Sequence, residues 1–391
     1  MRVLHVVTLH TPTNDFGGPT RVALNLSRGL RAKGMDARIA TLGDGFTGPL
    51  PTELEGVPSF VHQARHVLPA FEVSGITSPG LLARARRMAA GADVVHVHLM
   101  RDLITLPFAL VALAAGVPLV VQTHGMIDPT EKAFAKAVDL LGLKRVLRRA
   151  DAILHLTADE RDGVQAVVPD TPLTTFHRLV NGVARQDRRP PRTGDRPPTI
   201  LYAARVQKRK RPEDFVAAMP AVLAVHPGAR FVLAGPDTGA LTGPLRALAA
   251  ELGVAHALQT PGPLGHDEVL ARLRTADVYV LPSVVEPFAV SLLEAMSVGV
   301  PVVAAATGGL SPDIEAAGAG VITPSRPDAD NGPLVAAAIL ELLDPDTNAR
   351  TSEAAWRLVE DRFSIGAVVE DLLAVYSRVS AAPNSARRRG M

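Results

Sequence analysis

Cysteine is absent from the 391 residues. That excludes a disulfide framework, thiolate metal sites, iron–sulfur clusters and a cysteine nucleophile. No unbroken apolar run reaches the roughly 18 residues of a transmembrane helix; the uncharged stretch Leu103–Val121 is interrupted by Pro107, Gly116 and Pro118. The opening Met1-Arg2-Val3-Leu4-His5-Val6-Val7 reads as a buried strand and lacks the cleavage site of a signal peptide, so a cytoplasmic location is expected. Strong charge of one sign is missing too. Lys plus Arg number 41 against 39 Asp plus Glu, a net charge of +2, and no dense basic stripe points to nucleic acid. Lysine is scarce, and two of the few lysines, Lys208 and Lys210, share one short segment. The glycine-lysine loop of P-loop proteins does not occur. What remains is 47% hydrophobic and 20% charged, the balance of an ordinary globular protein, with length enough for two or three domains.

Continuous apolar runs punctuate the first half. Residues 3–8, Ala37–Leu42, Asp93–His98, Leu119–Thr123 and Ala152–Leu156 read as strands, and Val22, Leu26 and Leu30 mark a helix over 20–33. Runs of this kind belong to parallel strands buried on both faces, and their alternation with helices predicts an open parallel sheet. The stretch from Arg185 to Pro198 carries no apolar side chain besides its prolines and reads as a linker. The pattern restarts at Thr199–Ala204, Arg230–Ala234, Val278–Leu281 and Val302–Ala306. The expected architecture is α/β: a Rossmann-like domain over 1–184, a linker over 185–198 and a second Rossmann-like domain over 199–363. The two would face each other across a cleft. A disordered tail is expected over 381–391.

The strongest motif is Glu286-Pro287-Phe288-Ala289-Val290-Ser291-Leu292-Leu293-Glu294, with Gly299-Val300-Pro301 after it. Both carboxylates follow the strand Val278–Leu281, and ligands of open parallel sheets bind beyond the carboxyl ends of strands. Carboxylates accept hydroxyl hydrogen bonds, which suits sugar recognition. The amides of Phe288, Ala289 and Val290 would lie at a helix N-terminus and favour a phosphate. Two other clusters read as structure first. His96 and His98 alternate along one strand and share a face, but no carboxylate cluster accompanies them as metal ligands. The basic groups Arg84, Arg86, Arg87 and Lys144, Arg145, Arg148, Arg149 form two helix patches, solvated faces in the simplest reading and contacts for anionic lipid heads in the other.

The Glu286–Glu294 segment resembles the E-x7-E signature of retaining GT-B glycosyltransferases, glycosyltransferase family 4 in particular. Gly17-Gly18-Pro19 resembles that family's N-terminal glycine loop, which approaches the donor phosphates. Thr123-His124-Gly125 resembles its histidine-glycine motif. Arg205 and Lys210 resemble its arginine and lysine five apart, and Thr307-Gly308-Gly309 its loop after the signature helix. Pro287 and Ala289 stand where glycine is common, and Lys208 and Arg209 compete with Lys210 for its role. The resemblance implies a C-terminal helix, about 364–380, that packs back on the first domain.

The resemblance implies transfer of a sugar from a nucleoside diphosphate sugar, uridine favoured, to an acceptor hydroxyl with retention at the anomeric carbon. His124, Glu286, Arg205 and Lys210 would be catalytic; Gly17, Gly18, Phe288, Ala289, Val290 and Glu294 would hold the donor, Glu294 at the ribose and Glu286 at the sugar. The acceptor would belong to an oligosaccharide, a glycolipid, or a small natural-product or thiol-precursor core. No cofactor and no metal are expected. Asp344-Pro345-Asp346 has the Asp-x-Asp form but lies in a turn at a helix end. A GT-B epimerase, a phosphorylase-like transferase and a sugar-nucleotide-binding pseudoenzyme are the alternatives.

Overall fold

The computed structural model describes residues 1–12, 18–190, 196–284, 286–326 and 328–381. Gly17 and the expected tail beyond residue 381 lie outside the described residues. Contacts divide the chain into two units, Met1–Gly182 with the segment from Ile365 onward, and Val183–Ser364.

The first unit is built on β1 (Arg2–His10), β2 (Asp36–Gly43), β3 (Glu53–Leu54), β4 (Val57–Gln63), a small hairpin of β5 (Arg65–His66) and β6 (Ile76–Thr77), β7 (Val94–His98), β8 (Leu119–Gln122), β9 (Ala152–His155) and β10 (Phe176–Arg178). The main sheet runs β10-β9-β8-β7-β1-β2-β4-β3, and only the β3–β4 pairing is antiparallel. β1 is buried from Val3 to Leu9, which is why it reads as an unbroken apolar run. The helix Gly18–Ala32 buries Ala23, Leu24, Leu26 and Leu30. The C-terminal helix Ile365–Ala381 buries Val368, Val369, Leu372, Tyr376 and Val379. Gly29 sets how near these two helices come. A Cβ there would lie 2.6 Å from Val369 Cγ2.

The second unit holds β11 (Thr199–Ala203), β12 (Arg230–Ala234), β13 (Leu258–Gly262), β14 (Val278–Leu281), β15 (Val302–Ala305) and β16 (Gly320–Thr323). Their order is β13-β12-β11-β14-β15-β16, all parallel. Strand order reverses between β11 and β14, and between β1 and β7 in the first unit. Such reversals open a crevice beyond the strands' carboxyl ends, where ligands of this architecture bind.

The stretch expected as linker is not free of the fold. Arg189 is buried, its backbone amide donates to Val298 O, and its guanidinium donates to Gly299 O and Asn348 Oδ1. Arg188 pairs with Glu353, and Val183 bridges to Ser364. An arginine-rich segment without apolar side chains anchors here through guanidinium bonds to carbonyls and carboxylates.

Candidate active site

In the second unit the side chains gather at the β11/β14 reversal. After β11 the chain turns through Ala204 and Arg205. Two fully buried tyrosines hold that turn: Tyr279 donates to Ala203 O at 2.8 Å and Tyr202 to Arg205 O at 3.3 Å. Gly235, at φ +135°, lets the end of β12 come against it; a Cβ there would sit 2.0 Å from Ala204 O. Arg205 is left exposed, and its guanidinium makes no hydrogen bond or ion pair among the described residues. The short turn Lys208–Lys210 is stapled to the loop after β14, with Arg209 O accepting from Val284 N at 2.9 Å and Ser283 Oγ lying 3.2 Å away. Of its three cations, Lys208 and Arg209 point out and Lys210 is buried.

Lys210 Nζ pairs with Glu286 Oε2, and the two side chains retain only 9% and 11% exposure. Ser283 Oγ donates to the same oxygen at 3.0 Å. Burial pulls the Lys210 ammonium below its usual pKa; Glu286 opposes this, and Arg209 and Arg205 add to it. Glu286 Oε1 accepts no hydrogen bond among the described residues. Glu286 is itself fixed from behind, its carbonyl accepting from Gly309 N at 2.8 Å. The helix expected after it starts at Val290, with Ala289 in the cap position and no side chain capping it. Leu292 N donates back to Ala289 O at 3.1 Å, and the amides ahead of it suit another acceptor. Phe288 and Ala289 are buried, and Val290 is exposed. On the same helix Glu294 keeps 22% exposure and has His266 at 3.5 Å. Burial raises its carboxyl above the usual range and His266 lowers it.

In the first unit Thr123-His124-Gly125 follows β8. His124 (φ 52°) and Gly125 (φ 71°) are both left-handed, a conformation that histidine adopts more readily than most side chains but seldom. Glu160 secures the turn. Its buried carboxylate accepts from Thr123 Oγ1 at 2.6 Å and Gly125 N at 2.7 Å through one oxygen, and from Leu156 N at 2.6 Å through the other. His124 Nε2 lies 2.7 Å from His98 Nδ1. Gly18 opens its helix, and a Cβ there would meet nothing within 4 Å.

Residues 183–357 match the family described as glycosyl transferases group 1, and residues 17–178 match the glycosyl transferase 4-like domain. The D-inositol 3-phosphate glycosyltransferase of Streptomyces scabiei is 30% identical over 79% of this chain and 76% of its own. The chain belongs to the group 1 glycosyltransferases. Solved structures give this glycosyltransferase the GT-B fold. Sucrose-phosphate synthase from Thermosynechococcus elongatus superposes with a TM-score of 0.73 at 20% identity, over 98% of this chain and 100% of that one. Anabaena HepE in complex with UDP and glucose gives 0.71 at 16% identity, over 96% and 99%.

Several groups of this glycosyltransferase escape a motif search. Glu160, Tyr202 and Tyr279 brace the two turns, and Thr157-Ala158-Asp159-Glu160 carries only the local signal of a helix-capping box. Asp102 is a third. Thr8 Oγ1 donates to it, as do Ile104 N and Thr105 N at 2.9 and 2.6 Å. Burial pushes its carboxyl up against these bonds. Asp328-Ala329-Asp330 is a second Asp-x-Asp, and Asp330 Oδ1 accepts from Gly332 N at 2.8 Å at the start of a helix. Asp344 likewise caps the helix Pro345–Leu358. The nitrogens of His5, His96 and His98 lie within 4.8 Å of one another, yet both nitrogens of His98 are hydrogen-bonded and His96 Nδ1 faces the Tyr376 hydroxyl at 2.7 Å.

Proposed function

We propose that the protein transfers a sugar from a nucleoside diphosphate sugar, with UDP the favoured nucleotide, to an acceptor hydroxyl with retention and without a metal. The observation that carries this is Glu286. One carboxylate oxygen is locked to Lys210 and Ser283, and the other is left unbonded beside an uncapped helix N-terminus. A diphosphate suits those amides and the exposed Arg205, and a sugar hydroxyl suits Glu286 Oε1. Charge on the leaving diphosphate grows as the glycosidic bond breaks, so fixed cations favour the transition state over the ground state. Glu294, on that helix and with its carboxyl raised above the usual range by burial, would take the ribose hydroxyls. His124 would hydrogen-bond the donor sugar rather than form a covalent adduct. HepE, of the same fold, carries UDP and glucose, which supports the choice of nucleotide.

The assay is incubation with a panel of UDP-, GDP- and ADP-sugars and acceptors, D-inositol 3-phosphate first because the relatives bear that name. The expected product is a new glycoside of the donor's anomeric configuration by NMR, formed equally in EDTA. An inverted product, an epimerised donor, or loss in EDTA restored by magnesium would refute the corresponding part.

We extend the proposal to peripheral contact with anionic membrane. Leu140 and Leu141 are 76% and 83% exposed, between the lysine Lys136 and the basic run Lys144, Arg145, Arg148 and Arg149. Exposed apolar residues flanked in sequence by cations suit a lipid surface. Among the described residues no helix is long and apolar enough to cross a membrane.

A further inference from the structure

Three histidines stand in line behind the turn that carries His124. His5 lies on β1 and His98 on the neighbouring β7, both fully buried, and His124 follows β8 and is partly exposed. His5 Nδ1 is 3.2 Å from His98 Nε2, and His98 Nδ1 is 2.7 Å from His124 Nε2. The rings of His98 and His124 are 9° from parallel with centroids 5.0 Å apart. That separation equals two ring radii plus the hydrogen bond, so the rings lie end to end in a common plane. His5 and His98, with centroids 5.4 Å apart, are also end to end, their planes tilted by 34°. Each bond runs along a ring's own N–H or lone-pair direction.

Burial keeps these rings neutral: His5 and His124 are pushed down to about 3, and His98 well below its usual value. A neutral imidazole has one donor and one acceptor nitrogen. His98 uses both, so the chain has two arrangements only. In the first, His5 Nδ1–H donates to His98, His98 Nδ1–H donates to His124 Nε2, and His124 carries its proton on Nδ1. In the second every bond is reversed, and His5 must bury an N–H on Nε2. His5 Nε2 has no partner. A buried N–H without an acceptor is rarer than an acceptor without a donor, so the first arrangement is the stable one. His124 Nδ1 has no partner among the described residues.

We infer that His98 and His5 are positioning residues that hold His124 in its Nδ1–H tautomer, so that this histidine presents a fixed proton donor to a ligand oxygen. The identity of the ligand rests on the function proposed above; the tautomer does not. Asymmetry of this kind matters in catalysis because a histidine in the wrong tautomer offers a lone pair where an N–H is needed.

The test is a long-range proton–nitrogen NMR spectrum of the whole, unliganded protein labelled with ring-15N histidine, with His124 assigned by the signals missing in His124→Asn. The expected spectrum has His124 protonated at Nδ1. His98→Leu should free His124 to take its proton on Nε2. His5→Leu, which does not touch His124, should move it part of the way, a response that packing alone would not give. With transfer as the readout, His98→Leu should lower kcat by about 10²-fold, the scale of losing an orienting partner, with the affinity for UDP unchanged. A His124 protonated at Nε2 in the unaltered protein would overturn the inference, and that spectrum decides it even where a variant fails to fold. So would an unmoved tautomer in His98→Leu, or one zinc per chain bound by His5 and His98. A fixed Nδ1–H tautomer in a protein that transfers no sugar would refute the proposed function alone.

Discussion

Replacing Lys210 by methionine tests whether the buried ion pair is part of the fold, of the chemistry, or of both. Methionine keeps the length of the stem and removes the charge. Glu286, 11% exposed, would then hold a carboxylate whose counter-charge is gone. Breaking one side of a buried pair costs about 3–5 kcal/mol. The Ser283 hydroxyl remains at 3.0 Å and some solvent reaches the group, so the loss should fall near the lower end, about 3 kcal/mol. A unit of this size shifts by roughly 2–4 °C per kcal/mol, which gives a drop of about 6–12 °C in the melting of the second unit. Adding Glu286→Gln, which keeps the acceptor for Ser283, should recover most of that loss. Arg205→Ala is the control: exposed and unpaired, it should leave stability within about 0.5 kcal/mol while transfer falls about 10²-fold. Melting curves followed by circular dichroism, alongside turnover, separate the two effects. An unchanged melting temperature in Lys210→Met would refute the reasoning. Failure of the double variant to recover would place the loss in packing of the lysine stem. A crippling Lys208→Ala with a silent Lys210→Ala would assign the transfer cation to the wrong lysine.

The central strands were legible because they are buried on both faces. β1, β2, β7, β8, β9, β11, β12, β14 and β15 announce themselves as apolar runs; β12 and β14 have the expected bounds, and the ends of the others differ by at most two residues. The strands that went unseen lie toward the sheet margins. β13, Leu258-Gln259-Thr260-Pro261-Gly262, alternates between exposed and half-buried; β16 is short and opens with glycine; β4 carries Pro58 and ends in polar residues. Such strands lack the double burial that writes itself into sequence. The site divides in the same way. Residues of the Glu286–Glu294 segment are close in sequence and could be read as a pattern. Glu160, 36 positions after His124 in the numbering, acts by tertiary approach, and its local motif predicts only a helix cap. Which of Lys208, Arg209 and Lys210 turns inward could not be read either, because burial is decided by the staple from Arg209 O to Ser283 and Val284.

Glu294→Gln should weaken binding of free UDP, measured by calorimetry, while Glu286→Gln should leave it nearly intact and slow transfer; equal losses would refute the division of roles. Leu140→Glu with Leu141→Glu should release the protein from vesicles containing anionic lipid without altering its melting temperature, and unchanged co-sedimentation would refute the membrane contact. Glu294→Gln should also stabilise the protein at neutral pH. Burial raises the folded pKa of this acid, so its contribution is favourable below the unfolded pKa and is lost as pH rises through the folded value. The gain from glutamine should therefore vanish below about pH 4.5, and a gain that grew in acid would contradict the assignment. The buried histidines work in the opposite sense. His5, His96 and His98 all titrate lower in the folded state than the usual 6.5, His5 at about 3, because burial penalises the imidazolium. Above pH 6.5 both folded and unfolded chains hold them neutral and stability is at its plateau. Below it the unfolded chain takes up protons that the fold refuses, and stability falls by up to about 1.4 kcal/mol per pH unit for each histidine. Denaturant midpoints measured from pH 7 to pH 4 should decline steeply in the unaltered protein. They should decline by roughly one histidine's share less in His96→Phe, whose ring position faces the Tyr376 hydroxyl rather than His124. Equal slopes in the two proteins would mean that His96 is protonated inside the fold, and the neutral cluster on which the tautomer of His124 depends would fall with it.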